Sequence, residues 1–272
     1  MSDRYAVIGN PIAQSKSPLL HTAFARQFGH DLQYDKLLAT DDSFSATVRQ
    51  FIAEGGKGMN VTAPFKLAAL EFADTLTERA RAAGAINTLK FGADGVLGDN
   101  TDGVGLVNDI VDRLGVDLAH RRILIIGAGG AARGILQPLL AAGPAHVLLV
   151  NRTESKAHDL LQTCGAGAVA QAGPLSAVAD GAFDVVINAT SASLSDAHLP
   201  LGAGVFAPGA LAYDLVYGRG DTAFMSDARR LGATQVEDGL GMLVGQAAES
   251  YRLWYGCRPD VEPVMALFTQ GT

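Results

Sequence analysis

The stretch Ile123-Leu124-Ile125-Ile126-Gly127-Ala128-Gly129-Gly130-Ala131-Ala132-Arg133-Gly134 has the spacing that lets a backbone hold a pyrophosphate. Four apolar residues run into a glycine turn, and an Ala-, Leu- and Ile-rich segment follows to 142. Gly127 lets the turn close, Gly129 has no Cβ to meet the phosphates, and Ala132 still permits close helix–strand packing. The unpartnered N–H groups of a helix start, here around Gly130 and Ala131, face an anion placed there. In a chain with 32 glycines the turn alone is a weak signal. A second apolar run at 146–150 follows one helix length later, as a βαβ unit requires. It ends in Asn151-Arg152-Thr153, where an NAD site carries an acid for the ribose 2′-hydroxyl. An Arg there, with Lys156 one helical turn on, suits a 2′-phosphate instead, so the expected cofactor is NADP.

Three further places carry reactive or ligand-binding groups. Ser15-Lys16-Ser17-Pro18 puts two hydroxyls beside a helix start, fit either to hold a carboxylate or, in the case of Ser17, to cap the helix that Pro18 opens. Lys66, after Pro64, falls in the first turn of a helix, where the dipole disfavours a cation. Such a conflict is expected at a functional site, and a solvated surface Lys is the alternative. Asp102, in Asp99-Asn100-Thr101-Asp102-Gly103, stands just before a helix, as an N-cap or as a functional carboxylate.

The elements that must position these groups follow from the apolar periodicity and the turn residues. Strands are expected at 5–8, 33–38, 57–61, in a hairpin about Asp94-Gly95, and at 123–126, 146–150, 183–189 and 211–216. Helices are expected at 19–28, 43–53, 74–83, 104–114, 130–142, 222–231, 239–255 and 260–268; 164–173 reads only as loop or strand. The strand ends at Asn188-Ala189-Thr190-Ser191 and Tyr217-Gly218 fall at the carboxyl edge of a parallel sheet, where ligands bind. The nucleotide unit begins only near 121, after a complete α/β segment. The expected fold class is therefore α/β with two domains and a cleft between them: a discontinuous α/β substrate domain (1–103, joined by 239–272) and a Rossmann-type doubly wound NADP-binding domain (104–238).

Composition narrows the function classes. With 272 residues, 48% hydrophobic and 18% charged, the chain can bury one large or two modest cores. A formal charge of -7 argues against a general nucleic-acid or anionic-membrane binder, so an anionic ligand must be held by local groups. Cys164 and Cys257 give neither a disulfide framework nor a Cys-based zinc site, and the six His have no metal-binding spacing. No signal-like N-terminus and no apolar run near ~18 residues is present, so a cytoplasmic chain is expected. Nothing demands an obligate interface; a monomer is expected, with a homodimer as the alternative.

The motifs Val7-Ile8-Gly9-Asn10-Pro11, Ser15-Lys16-Ser17-Pro18, Asn60-Val61-Thr62-Ala63-Pro64-Phe65-Lys66, Gly84-Ala85-Ile86-Asn87-Thr88, Asn100-Thr101-Asp102-Gly103, Gly127-Ala128-Gly129-Gly130-Ala131, Asn151-Arg152-Thr153, Asn188-Ala189-Thr190-Ser191 and 238–246 occur in one order. In that order they resemble the shikimate dehydrogenase family over essentially the whole chain. The resemblance implies reversible, NADPH-dependent reduction of 3-dehydroshikimate to shikimate. It implies Lys66 and Asp102 as the catalytic pair, Ser15 and Ser17 on the substrate carboxylate, Thr62, Asn87, Asp102 and Gln246 on ring hydroxyls, and Tyr217 bordering the ring. It implies Gly127, Ala128, Gly129, Gly130, Ala131, Asn151, Arg152, Thr153, Lys156 and Thr190 on the dinucleotide, with Gly239 and Met242 near the nicotinamide. Gln14 stands where many members have His, and Thr222-Ala223 replaces a common Thr-Pro; neither touches the implied chemistry.

The implied roles agree with the residues. Hydride delivery to a carbonyl carbon leaves an alkoxide, which an ammonium within hydrogen-bond reach stabilises and protonates. Lys66 fits as donor, and Asp102 as its orienting partner. Among rivals, a quinate/shikimate dehydrogenase differs only in pocket shape and cofactor use. A methylene-tetrahydrofolate dehydrogenase leaves Ser15 and Ser17 without a role. A non-catalytic NADP sensor has no need of Lys66 and Asp102 together.

Overall fold

The computed structural model describes residues 2–178, 181–218 and 220–269. The chain divides into two compact units, Met1–Gly105 with Leu243–Thr272, and Leu106–Met242. The first contains β1 (Asp3–Gly9), α1 (Ser17–Phe28), β2 (Leu32–Leu38), α2 (Phe44–Ala53), β3 (Gly56–Val61), α3 (Lys66–Phe72), β4 (Thr75–Leu76), α4 (Glu78–Ala83), β5 (Thr88–Gly92) and β6 (Gly95–Asp99). The chain then changes unit inside α5 (Asp102–Asn108), which continues as a π-helical turn Asp109–Arg113. The second unit adds β7 (Arg122–Ile126), α6 (Gly130–Ala141), β8 (His146–Asn151), α7 (Glu154–Thr163), β9 (Ala170–Pro174), β10 (Phe183–Asn188), β11 (Phe206–Asp214), α8 (Ala223–Arg230) and β12 (Gln235–Glu237). The chain returns to the first unit inside α9 (Leu240–Tyr255) and closes with α10 (Glu262–Thr269).

The first unit's sheet runs β2-β1-β3-β5-β6-β4, with β5 antiparallel to both of its neighbours and the other pairs parallel. Side chains alternate between its faces. Ala6, Ile8, Met59, Val61 and Leu89 enter one core with Phe44, Phe51 and Phe65. The alternate residues, Asn60 and Thr88 among them, are cross-strand partners in β3 and β5 and face the C-terminal helix α9. Trp254 of α9 stacks on Tyr5 at 4.5 Å and donates from its indole N–H to the Leu89 carbonyl at 3.0 Å.

The second unit's sheet is wholly parallel in the order β12-β11-β10-β7-β8-β9. Numbered within the unit this is 3-2-1-4-5-6 read from the β9 edge, the doubly wound dinucleotide-binding order. Its strands read as continuous apolar runs because both faces are covered. Ile123 and Ile125 of β7, Val147 and Leu149 of β8, and Val185 and Ile187 of β10 enter one core with α6 and α7. Leu124, Ile126, Val150 and Val186 enter the other with Phe224 and Ala228 of α8.

Several local details go beyond or against the expectations from sequence. Ser17 is not the N-cap of α1 but its first residue; Lys16 holds the cap position, and the Ser15 hydroxyl accepts from the Ser17 N–H at 3.3 Å. The helix expected over 74–83 is broken into β4 and α4. Asp74 accepts from the Val96 N–H at 2.7 Å, Thr75 and Leu76 pair with β6, and the Thr77 hydroxyl caps α4 by accepting from Ala80 N at 3.2 Å. The 164–173 stretch resolves into a short 3-10 turn and the edge strand β9, and β12 is an unforeseen edge strand of three residues.

Candidate active site

In the first unit, two side chains from distant segments, those of Lys66 and Asn87, converge on one carboxylate, that of Asp102. Lys66 is the first residue of α3, and no side chain caps that helix. Its backbone is fixed from both sides: Phe65 is buried and stacks on Phe44 at 5.1 Å, and the Lys66 carbonyl accepts from the Ile86 N–H at 2.9 Å. The Lys66 ammonium donates to Asp102 Oδ2 at 2.5 Å. Asp102 opens α5, where the dipole favours an anion, and its N–H donates to Asn100 Oδ1 at 3.1 Å. The cation that sits awkwardly at the start of α3 is therefore balanced by an anion that sits well at the start of α5. Asp102 Oδ1 accepts from Asn87 Nδ2 at 2.8 Å, so both carboxylate oxygens are engaged. The Asp102 side chain is 9% exposed and that of Lys66 25% exposed, so the pair is shielded yet reachable.

Gln246 reaches the same cluster from α9, its Oε1 lying 3.4 Å from Asn87 Nδ2. This requires α5 and α9 to cross closely. A Cβ on Gly105 would stand 2.4 Å from the Gln246 nitrogen, and one on Gly245 would stand 2.7 Å from the Gly105 carbonyl. Only glycine fits at this crossing. Thr62 follows β3, and its N–H donates to the Ile8 carbonyl at 3.0 Å. The two hydroxyls of the Ser15/Ser17 pair lie 3.2 Å apart at the start of α1.

A buried polar network that the sequence reading did not assign lies behind these groups. Asn60 Oδ1 accepts from the Tyr34 hydroxyl at 2.6 Å and lies 3.0 Å from His21 Nε2. Asn60 Nδ2 donates to Ser250 Oγ at 2.9 Å and to Thr88 Oγ1 at 3.1 Å. Burial pushes the His21 pKa down to about 3, against a smaller opposing effect of its bond to Asn60, so the ring is neutral. Burial also pushes the Tyr34 phenol well above the ordinary tyrosine value. The sequence did hold a signal here: Asn60 is a polar residue between Met59 and Val61 on a strand, and Ser250 lies one helical turn after Gln246.

In the second unit the glycine turn has the geometry its spacing implies. Gly127 has φ +108°, and a Cβ there would meet the Ala189 carbonyl oxygen at 2.9 Å. Gly129 precedes the twelve-residue α6, and Cβ positions on Gly129 and Gly130 point into open space. Asn151, at the end of β8, ties the two neighbouring strand ends: its Oδ1 accepts from the Ala128 N–H at 3.2 Å and its Nδ2 donates to the Thr153 carbonyl at 2.8 Å. Arg152, Thr153 and Lys156 follow, all exposed, and among the described residues neither cation pairs with a carboxylate. Thr190 is held after β10, its hydroxyl donating to Asn188 Oδ1 at 2.7 Å. Tyr217, 37% exposed, and Gly239 and Met242 also belong to this unit. The Met242 N–H donates to the Tyr213 hydroxyl at 2.9 Å, which in turn donates to the buried Asp109 at 2.8 Å. An open glycine cradle, a helix start and two unpaired cations fit the diphosphate and 2′-phosphate of NADP.

A doubly wound nucleotide unit joined to an α/β unit that holds a paired lysine and carboxylate defines a two-unit, nicotinamide-dependent oxidoreductase. The particular family is equally clear. The chain matches the models for the shikimate dehydrogenase substrate binding domain over residues 7–89, shikimate/quinate 5-dehydrogenase over 107–196, and the shikimate 5′-dehydrogenase C-terminal domain over 239–267. It belongs to the shikimate dehydrogenase family. It is 54% identical to a shikimate dehydrogenase (NADP(+)) of Nitrosospira multiformis, over 98% of this chain and 97% of that one. Among solved structures it superposes on an Ael1 enzyme from Pseudomonas putida with a TM-score of 0.93 and 47% identity, covering 98% of each chain. It also superposes on a shikimate 5-dehydrogenase of Thermus thermophilus in complex with NADP(H) and shikimate, with a TM-score of 0.88 and 31% identity, covering 99% of this chain and 100% of that one.

Proposed function

We infer that this chain is an NADP-dependent shikimate dehydrogenase that reversibly reduces 3-dehydroshikimate to shikimate. The observation that carries the chemistry is the Lys66–Asp102 contact of 2.5 Å, with Asn87 on the second carboxylate oxygen. When bound, NADPH is the source of the hydride. Asp102 accepts from two donors, which is the bonding of an ionised carboxylate with no proton to give. Lys66 carries the proton, and its ammonium both stabilises the alkoxide that forms on the substrate and protonates it. Asp102 orients Lys66 and restrains it through the step.

The remaining roles are assigned on the same reading. Ser15 and Ser17 take the substrate carboxylate, with Thr62, Asn87 and Gln246 on ring hydroxyls and Tyr217 against the ring. Gly127, Ala128, Gly129, Gly130 and Ala131 receive the diphosphate. Asn151, Arg152, Thr153 and Lys156 hold the adenosine 2′-phosphate side, Thr190 contacts the dinucleotide, and Gly239 and Met242 lie toward the nicotinamide. The segment 1–103 with 239–272 is the substrate domain, and 104–238 the dinucleotide domain. We place the enzyme in the cytoplasm and in aromatic amino-acid biosynthesis. Among the described residues no helix is long and apolar enough to cross a membrane.

The test is oxidation of shikimate by the purified protein, following the appearance of reduced nicotinamide with NADP and with NAD, and with quinate as second substrate. Turnover of shikimate that is faster with NADP is expected. Preference for NAD, or comparable turnover of quinate, would overturn the assignment in favour of a quinate/shikimate enzyme. Absence of turnover while NADP still binds would leave the fold intact and remove the function.

A further inference from the structure

The buried groups behind Asn87 form more than a set of satisfied polar atoms. Asn87 Oδ1 accepts from the Thr101 N–H at 2.8 Å, and a backbone N–H can only donate. That contact fixes which end of the amide is oxygen, so the NH₂ group faces Asp102 Oδ1 and Thr101 Oγ1, at 2.8 and 2.9 Å. The second lone pair of Asn87 Oδ1 is taken by the Thr88 hydroxyl, which donates at 2.9 Å. The Thr101 hydroxyl accepts from Asn87 and has two acceptors at 3.2 Å, Asn87 Oδ1 and Ser250 Oγ; with both lone pairs of Oδ1 taken by the Thr101 N–H and the Thr88 hydroxyl, its proton goes to Ser250. The Ser250 hydroxyl has two acceptors in reach, the Gln246 carbonyl at 3.0 Å and Thr88 Oγ1 at 2.7 Å, and the shorter contact returns the chain to Thr88.

With the Ser250 proton on its shorter contact, to Thr88 rather than to the Gln246 carbonyl, the bonds close head to tail into a ring: Asn87 to Thr101, Thr101 to Ser250, Ser250 to Thr88, and Thr88 back to Asn87. Its one outward-directed N–H goes to Asp102. Asn60 Nδ2 faces the ring from the other side, its two protons shared among Ser250 Oγ at 2.9 Å, Thr88 Oγ1 at 3.1 Å and the Asn87 carbonyl. The orientation of Asn60 is fixed by the Asn87 backbone carbonyl, which accepts from Asn60 Nδ2 at 3.3 Å. Asn87 is 3% exposed, and Thr88, Thr101 and Ser250 have no exposed surface at all, so water does not compete for these bonds.

We propose that Ser250 and Thr88 are positioning residues: the ring they close locks the Asn87 amide so that it donates to Asp102 and holds that carboxylate against Lys66. The proposal rests on the reading of Lys66 and Asp102 as the proton-handling pair. It goes beyond that reading by assigning a role in turnover to two hydroxyls that touch neither Lys66 nor Asp102. An open ring leaves the Asn87 amide held at its oxygen by the Thr101 N–H alone, so that it can tilt, and the N–H that sets the angle of Asp102 to Lys66 tilts with it. Small misplacement of a catalytic group costs rate rather than fold.

The experiment is steady-state kinetics of the full-length enzyme with shikimate and NADP, for wild type, Ser250→Ala, Thr88→Val, the double variant and Thr88→Ser. Each of Ser250→Ala and Thr88→Val is expected to lower kcat about tenfold, with KM for NADP unchanged. Because both act on one ring, the double variant should fall no further than about the lower of the two singles. Thr88→Ser keeps the hydroxyl and should restore kcat to within about twofold of wild type. A purely structural role would lower the melting temperature of every variant without this split between kcat and KM, and without rescue by Thr88→Ser. Single-variant kcat values within twofold of wild type, or a double variant near the product of the two losses, would overturn the proposal. Inactive wild type would instead overturn the functional reading beneath it. If Thr88→Val does not fold, Ser250→Ala against Thr88→Ser carries the same comparison.

Discussion

His21 offers a way to measure the buried network by its response to acid. It has no exposed surface, is stacked on Tyr34 at 4.6 Å with a 7° interplanar angle, and lies 5.0 Å from Trp254. Its Nε2 bonds to Asn60, and Nδ1 has no hydrogen-bond partner among the described residues. Protonation would bury a charge with nothing to receive the new N–H, and burial accordingly lowers the pKa from 6.5 to about 3. The unfolded chain takes up this proton near 6.5, whereas the folded one resists until about 3. The stability that neutral His21 carries is therefore complete above pH 6.5 and is lost progressively as pH falls from there toward 3. Between pH 7 and pH 5 the loss is about 2 kcal/mol, since each pH unit inside the window is worth ~1.4 kcal/mol. His21→Phe keeps the ring stack and removes the titration. It forfeits the bond to Asn60, which still accepts from Tyr34 at 2.6 Å, at a cost of about 1 kcal/mol. The variant should thus be less stable than wild type at pH 7 by about 1 kcal/mol, and more stable at pH 5 by about the same amount. Urea unfolding of both proteins at the two pH values, followed by far-UV circular dichroism, measures the difference. Groups common to both, such as Asp99 and Asp227, cancel. A wild-type-minus-variant difference that stays constant from pH 7 to pH 5 would refute the reasoning.

Two other perturbations test the functional groups themselves. Lys66→Met should lower kcat for shikimate oxidation by at least ~100-fold with only a few-fold change in KM, because the ammonium acts on charge that develops in the transition state; near-normal kcat in stopped-flow or steady-state assays would remove Lys66 from the proton step. Gly127→Ala forces a side chain into φ +108° and against the Ala189 carbonyl at 2.9 Å, so it should cost about 1–3 kcal/mol and weaken NADP binding; a melting temperature and NADP affinity equal to wild type would show that the turn opens more freely than its geometry implies.

The two units were legible in the sequence to different degrees, for physical reasons. In the nucleotide unit each strand is covered on both faces, so β7, β8 and β10 announce themselves as unbroken apolar runs, and the glycines mark a turn whose φ no other residue tolerates well. Edge strands lack that signal: β12 has three half-buried residues and β9 follows a Gly- and Ala-rich stretch, so neither could be fixed from periodicity. In the first unit the 74–83 segment has the composition of a helix but is interrupted. Asp74 accepts from the Val96 N–H across the sheet, Thr75 and Leu76 pair with β6, and Thr77 caps the helix that starts only after it. Ser17 shows the same limit at finer scale, because Ser15 two residues earlier takes the hydrogen-bonding role assigned to it. Lys66 is legible as a local conflict, and its partner Asp102 was named on family resemblance. The ring joining Asn87, Thr88, Thr101 and Ser250 was not legible, because its members only meet once β5, α5 and α9 are packed.

That difference predicts how each unit responds to change. Around Gly127 and Asn151 the contacts are made largely by backbone and by residues close in sequence, so a substitution acts where it is made. In the first unit the orientation of one carboxylate depends on residues drawn from β3, β5, α5 and α9, none of which can turn without its neighbours. Such a network is nearly as costly to break at its far end as at its centre, since each hydroxyl has one proton and its loss reverses or orphans the next bond. Substitutions at Ser250 and Asn87 should accordingly couple strongly, although Ser250 reaches the Asn87 side chain through the Thr88 and Thr101 hydroxyls rather than directly. Thr101, next to Asp102 in the chain, donates its N–H to Asn87 and directs its hydroxyl to Ser250, 149 residues on, and so couples the carboxylate beside it to α9.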